Sequence, residues 1–350
     1  MNFRNNFLNI LEGRKADNFP TTEFMWFWPE CCSAYKIAAG TEDLAAHFEL
    51  GGVSVIPYDF NPVPAFEEVI IEETEKHITK IDSTGITLKI EKGTSAMPHY
   101  IDFPIKDRVS YEQFLKRFNP LDEDRYIHLK TYKENTKDLD CPVELVIRGI
   151  FAYLRDFIMF DELMMMFYDE PELIEEIINN HTDYIIAAFG KVFETIIPDM
   201  VYLGEDMAYK NGSMISPEMI ERFIYPAWVR VINYCKEKEI KHIILDSDGN
   251  ISDILPFAVK AGFTCVLPVE RAAGMDGEEI RRKYPTLAMI GGVDKLEIAK
   301  GGEAITREVE KAARLYNTGR YIPSFDHSVP PIIRYEDYKK YIETLKSRLT

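Results

Sequence analysis

The sequence predicts an α/β protein, a (β/α)8 TIM barrel with an inserted antiparallel β-hairpin. Three observations carry that expectation. From about residue 143 onward, short apolar runs rich in β-branched residues alternate with longer stretches of helical period. That is the pattern of parallel strands joined by crossover helices. Two earlier apolar runs bring the strands to eight, which suits a barrel of about 250 residues plus insertions. No glycine-rich first turn of the dinucleotide or P-loop type occurs, which weighs against a doubly wound sheet.

The elements follow in order. Met1-Asn2-Phe3-Arg4-Asn5-Asn6-Phe7-Leu8 starts an amphipathic helix and lacks the long apolar core of a signal peptide. Residues 24–28 and 53–57 supply the first two strands. Residues 67–108 break the pattern: 69–72, 77–80 and 86–90 alternate apolar and polar side chains around a Ser83-Thr84-Gly85 turn. They read as a hairpin inserted into one domain spanning 1–350. Strands then fall at 143–149, 200–206, 242–246, 264–269, 287–291 and 321–324. Helices fall at 172–186, 218–236, 251–261, 277–283, 304–316 and 335–347. Ser216-Pro217-Glu218 places a capping serine before a first-turn proline. Gly262 and Gly319 sit where helices should end.

Charge and composition exclude several functions. The 41 Lys+Arg against 58 Asp+Glu give a net charge of −17, which disfavours nucleic acid and anionic membrane surfaces as partners. No apolar run approaches the roughly 20 residues that span a bilayer. Five scattered cysteines without a CxxC pair indicate a reducing compartment, so the expected location is the cytoplasm. The Leu163-Met164-Met165-Met166-Phe167 stretch reads as core, and Cys31-Cys32 as a packing pair.

In a parallel barrel the chemistry sits where strands end. Four exits carry polar groups: Gly204-Glu205-Asp206, Asp246-Ser247-Asp248-Gly249-Asn250, Gly292-Val293-Asp294-Lys295 and Ser324-Phe325-Asp326-His327-Ser328. Asp246 and Asp248 are two residues apart, so an extended chain points both carboxylates to one side. Such a pair needs a cation or a shared proton, or else serves as a helix cap and an ion-pair partner. Carboxylates at Glu205 or Asp206 and the imidazole of His327 tip the balance towards zinc with an open position. His242, which begins its strand, and Glu221 belong at the opposite end.

At these positions the chain resembles the uroporphyrinogen decarboxylase superfamily, which includes zinc- and corrinoid-linked methyltransferases. The resemblance runs through Phe7-Leu8-Asn9-Ile10-Leu11-Glu12-Gly13, Asp17-Asn18-Phe19-Pro20, Tyr168-Asp169-Glu170-Pro171-Glu172-Leu173, Ile215-Ser216-Pro217-Glu218, Ile290-Gly291-Gly292-Val293-Asp294 and Gly301. It implies a (β/α)8 barrel. The true decarboxylases carry an Arg-Gln-Ala-Gly-Arg segment after the first strand, where this chain has Trp26-Phe27-Trp28-Pro29-Glu30-Cys31-Cys32. Without those arginines an octacarboxylate substrate loses its main counter-charges. The thiol-methylating members place a His-x-Cys pair and a late Cys on zinc, where this chain offers Asp246-Ser247-Asp248 and His327. Oxygen and nitrogen donors make zinc a harder Lewis acid, suited to polarising a substrate oxygen.

The expectation is therefore methyl transfer from an aryl methyl ether to a corrinoid protein. Zinc would be held by Glu205 or Asp206, Asp246, Asp248 and His327. Asp246 and His327 are the catalytic candidates, and Trp26, Trp28, Tyr202 and Tyr209 the pocket walls. The partners are a small-molecule methyl donor and the corrinoid protein, and a homodimer is one assembly this allows. The alternatives are a decarboxylase acting on a smaller acid, with Arg148 or Lys210 as its cationic group, and a metal-free barrel without catalysis.

Overall fold

The computed structural model describes residues 2–94 and 97–349. Its main sheet joins β1 (Ser54–Val55), β6 (Val143–Arg148), β7 (Met200–Gly204), β10 (His242–Asp246), β11 (Cys265–Leu267), β12 (Ala288–Val293) and β13 (Tyr321–Phe325). These lie side by side in that order, and every neighbouring pair is parallel. Helices connect them, so the βα alternation read from the sequence is real. Between β1 and β6 the chain inserts β2 (Val69–Glu73), β3 (His77–Ile81), β4 (Thr87–Glu91) and β5 (His99–Asp102), an antiparallel sheet. A two-stranded hairpin, β8 (Ala208–Tyr209) with β9 (Gly212–Ser213), follows β7.

Strand parity divides the core in two. Met200, Ile244, Cys265, Leu267, Ala288, Ile290 and Ile322 face the concave side of the curled sheet and pack on Phe7, Ile10 and Leu11 of the helix Phe3–Leu11. That helix covers the end where the strands begin, since Arg320 donates to Leu11 O at 2.8 Å and His242 lies 3.7 Å from Glu12. The convex side packs under the connecting helices through a larger cluster that includes Leu145, Ile147, Val201, Leu203 and Ile243. Burial on both faces is what makes these strands read as continuous apolar runs.

The first predicted strand is displaced. Trp26 adopts φ +60°, and the helix Pro29–Ala39 starts just beyond it, so residues 24–28 cannot run extended. The extended segment lies upstream, where Thr22 bridges Gly51 in parallel. Its other side reaches β13 through side chains: Ser324 Oγ and Phe325 N donate to Glu23 Oε2 at 2.9 and 3.1 Å. Among the described residues this segment forms no continuous eighth ladder. The polar residues Thr21, Thr22 and Glu23 hide it from an apolar pattern. The inserted unit is also larger than a hairpin, because β5 is mostly exposed and so gives little alternation. Its turn is as expected: Gly85 has φ +87°, and Asp82 accepts the N–H groups of Thr84 and Ile86.

Helix signals fare well. Ser216 caps with its hydroxyl, accepting from Met219 N, and Gly262 closes a helix at φ +110°. The predicted helix at 218–236 is continuous but contains a π-turn at Ile220–Ile224. Pro226 follows at once and has no N–H to return to residue 222, which is the kind of break that a wider turn accommodates. Among the described residues no helix is long and apolar enough to cross a membrane.

Glu23 carries a pH dependence. Burial pushes its carboxyl up to about 7, against the pull of donors from Phe325, Ser324 and Tyr338. A carboxyl raised above its unfolded value contributes full stability below the ordinary range near 4.5, and loses it as pH rises through about 7. The loss is on the order of 3 kcal/mol, at about 1.4 kcal/mol per tenfold change. Glu23→Gln keeps an oxygen for Ser324 and Phe325 and an amide for the Tyr338 hydroxyl. Urea unfolding of this variant should therefore show a smaller fall in stability between pH 5 and 8 than the parent, and equal slopes would refute the assignment.

Candidate active site at the strand ends

Asp246 ends β10, where its register partner on β7 is Gly204. The Tyr202 hydroxyl, two residues before that glycine, donates to Asp246 Oδ2 at 2.5 Å. Burial pushes the Asp246 carboxyl up to about 7; Tyr202 and His327 pull it down, while Asp248 and Asp206 push it further up. Asp246 Oδ1 and Asp248 Oδ1 are both buried without a hydrogen-bond partner.

Asp248 Oδ2 lies 3.4 Å from His327 Nε2, and this contact is the leading cause of the raised His327 pKa. The other ring nitrogen, Nδ1, accepts the Ser328 N–H at 2.8 Å. Full protonation of the ring would break that bond. The ring thus meets the Ser328 N–H through Nδ1 and the Asp248 carboxylate through Nε2. Beside it Lys295 Nζ pairs with the buried Asp326 at 3.1 Å, and Asp326 also accepts Arg271 N at 2.9 Å.

Glu205 turns away from this group. It accepts from Ile150 N and Phe151 N at 2.8 Å each and from Trp228 Nε1 at 2.6 Å. It thus caps the helix Ile150–Phe157, whose own cap residue, Gly149, has no side chain to do so. A Cβ on Gly149 would come within 2.2 Å of the Glu205 carboxyl carbon. Burial raises the Glu205 pKa, and the four donors Trp228, Ile150, Phe151 and Ala152 pull it back. Asp206, held at φ +49°, accepts from Arg155 at 2.8 Å.

The predicted ligands converge only in part: Asp246, Asp248 and His327 come together, while Glu205 and Asp206 turn to other partners. Structural or catalytic zinc needs at least three protein donors around one point, and among the described residues no His, Cys, Asp and Glu group of three or more meets that condition. Glu205 is spent on a helix cap and Asp206 on Arg155. His327 Nε2 faces Asp248 Oδ2 at 3.4 Å.

Other predicted residues scatter. The Tyr202 hydroxyl is engaged with Asp246, and its ring stacks at 6.4 Å on Phe24. Trp26 and Trp28 are partly exposed on a segment hydrogen-bonded to Val329, two residues beyond His327. Tyr209 lines a cavity of about 490 Å3 between the inserted sheet and the strand ends, together with Arg148 and Arg155. Lys210, in the turn of the β8–β9 hairpin, is exposed and does not line it. His242 sits at the opposite end, as expected, with its pKa lowered mainly by burial. A larger hollow of about 620 Å3 beside Phe66 and Phe114 holds none of the strand-end acids.

Sequence reasoning missed Glu144. It is 2% exposed on β6, its Oε1 has no partner, and burial and then Asp246 push it up to about 8. A carboxylate at an inward-parity position of an apolar strand was the available signal. Arg155 was missed as well, because only the helix following β6 brings it beside Asp206.

The family model for uroporphyrinogen decarboxylase (URO-D) matches residues 77–348. Among solved structures, a methyltransferase from Methanosarcina mazei shares 15% identity at a TM-score of 0.62, over 99% of this chain and 98% of that one. A B12-independent methionine synthase from a Shewanella species shares 9% identity at a TM-score of 0.47, over 95% and 97%. The comparison with curated proteins gives no match. The family match spans most of the parallel sheet and every strand-end acid described above, and the chain belongs to the uroporphyrinogen decarboxylase family.

Proposed function

We propose that the protein is a methyltransferase that takes the methyl group of an O-methyl substrate and passes it to a corrinoid protein. The observation that carries this reading is Asp246, a buried carboxyl at a strand end whose pKa lies near 7. Displacing methyl from oxygen leaves negative charge on that oxygen, and a proton delivered there removes it. With its carboxyl pushed up to about 7, Asp246 carries such a proton in about half the molecules at neutral pH, with Tyr202 fixing one oxygen and the other free of protein partners. As the C–O bond breaks, the substrate oxygen keeps the electron pair and takes the Asp246 proton. The methyl carbon passes to the acceptor's electron pair.

That acceptor is external. Burial pushes the thiols of Cys31 and Cys235 up to about 11 and about 12, and Cys265 is raised by the same cause. These three thiols supply no thiolate at neutral pH, and burial raises the Cys141 thiol as well. A reduced corrinoid brought by a partner protein would supply the nucleophile. The fold shared with the Methanosarcina mazei methyltransferase is in keeping with this reading. A closed barrel, with residues 20–24 as its eighth stave, would shield the reaction from water, and the Glu23 bonds to β13 support it.

One observation favours a second reading. Arg148 and Arg155 share a cavity beside Asp206, and a carboxylate-binding pair next to a proton donor also suits decarboxylation. The test runs both reactions. Reduced cobalamin with a panel of methyl ethers should give methylcobalamin, read by absorbance, and prior chelation of metals should leave the rate unchanged. Carbon dioxide release from a carboxylate panel, with no methylcobalamin from any ether, would replace the transferase with the lyase.

A further inference from the structure

The cavity between the inserted sheet and the strand ends has a lining of two kinds. Tyr100 and Phe103, at and just after β5, approach each other at 6.0 Å between ring centroids, and Phe160 meets Tyr209 edge-on at 6.2 Å. These rings come from opposite sides, the first pair from the insertion and the second from the connections after β6 and β7. Its volume of about 490 Å3 falls within the range of small-molecule sites.

Arg148 and Arg155 give the cavity its cationic groups, and Asp82 and Asp156 line it as well. Arg148 Nε contacts Asp156 at 2.5 Å, and Arg155 Nη2 contacts Asp206 at 2.8 Å. A guanidinium carries five N–H donors, so each arginine meets one aspartate and retains donors for a ligand. The aspartates hold the two planar groups in place, which lowers the entropy lost when a second anion binds. Arg148 is further steadied over the Phe157 ring at 5.5 Å. Asp206 links this end of the cavity to the acid site, since it also bears on the Asp246 carboxyl.

We propose that this cavity binds a small aromatic carboxylate, with its ring among Tyr100, Phe103, Phe160 and Tyr209 and its carboxylate on Arg148 and Arg155. As the substrate class of the enzyme, this rests on the methyl-transfer reading and makes the substrate an acid that also carries the methyl ether. Arg recognises a carboxylate through paired N–H bonds, and aromatic walls supply apolar area with a defined geometry. The inserted sheet is then the specificity element, because it contributes one wall that the parallel sheet alone lacks.

Binding can be measured without turnover. Calorimetry with benzoate should give a saturable site of one per chain, at least about tenfold tighter than benzyl alcohol, the gain of a charge-assisted hydrogen bond. Arg148→Met and Arg155→Met should each weaken benzoate about tenfold while leaving benzyl alcohol unchanged. That unchanged affinity shows the variants are folded, and Arg155→Lys should recover part of the loss. Asp246→Asn should leave benzoate affinity within about twofold, because benzoate carries no ether oxygen to receive the Asp246 proton. Equal affinity for the two probes, no saturable binding, or benzoate binding that survives both arginine changes would each overturn the proposal. Selective benzoate binding with no methyl transfer would sink the transferase reading and leave this site standing. Methyl transfer from neutral ethers alone, without benzoate binding, would do the reverse.

Discussion

Asp246→Asn should lower turnover by about 100- to 10,000-fold, the usual contribution of a positioned general acid, while leaving unfolding by urea nearly unchanged. Asparagine keeps an oxygen to accept the Tyr202 hydroxyl, so the local geometry survives and the deliverable proton does not. In the parent enzyme the active form is the protonated one. Because burial holds that carboxyl near 7, the rate should be level on the acid side of about 7 and fall roughly tenfold per pH step above it. The Tyr202 hydrogen bond favours the ionised form. Tyr202→Phe should therefore move the falling limb to higher pH and keep the enzyme active further into the alkaline range. A limb that moves down, or an Asp246→Asn enzyme with parental turnover, would remove Asp246 from the proton-transfer role.

Glu205→Ala should cost about 3–5 kcal/mol of stability, as expected when one partner of a buried, charged hydrogen-bonded set is removed. Ile150 N, Phe151 N and the Trp228 indole would lose their acceptor together, in a site with no exposure to solvent. Asp206→Ala, next in sequence, should cost no more than about 1 kcal/mol, because its pair with Arg155 is partly exposed to water. Chemical unfolding of both variants gives the comparison. If Glu205 were instead a metal ligand, its replacement would release metal and leave the folded state little changed.

These two acids show where sequence reading stops. Glu205 and Asp206 leave the same strand, and a pattern of polar strand ends nominates both alike. Only packing separates them: Gly149 leaves a gap beside the start of the helix Ile150–Phe157, and Glu205 fills it. Asp246, Asp248 and His327 were legible, since strand polarity puts every exit at one end whatever the side chains do later. Their chemistry was not. Whether such carboxylates take a metal or a proton depends on donor distances and on the contacts of His327 with Asp248 and Ser328 N, which no spacing rule encodes.

By itself the sequence determined the parallel α/β architecture, the helix caps at Ser216 and Gly262, the existence of the insertion and the end of the sheet that carries the acids. Those features follow from local periodicity and cap chemistry, which act over a few residues. The tertiary structure decided the rest. It brought Arg155 to Asp206, set Glu144 behind Asp246 and laid Tyr100 and Phe103 opposite Phe160 and Tyr209. Each of these pairings joins residues tens of positions apart, and their energy comes from desolvation and close approach, which exist only once the chain has closed around them.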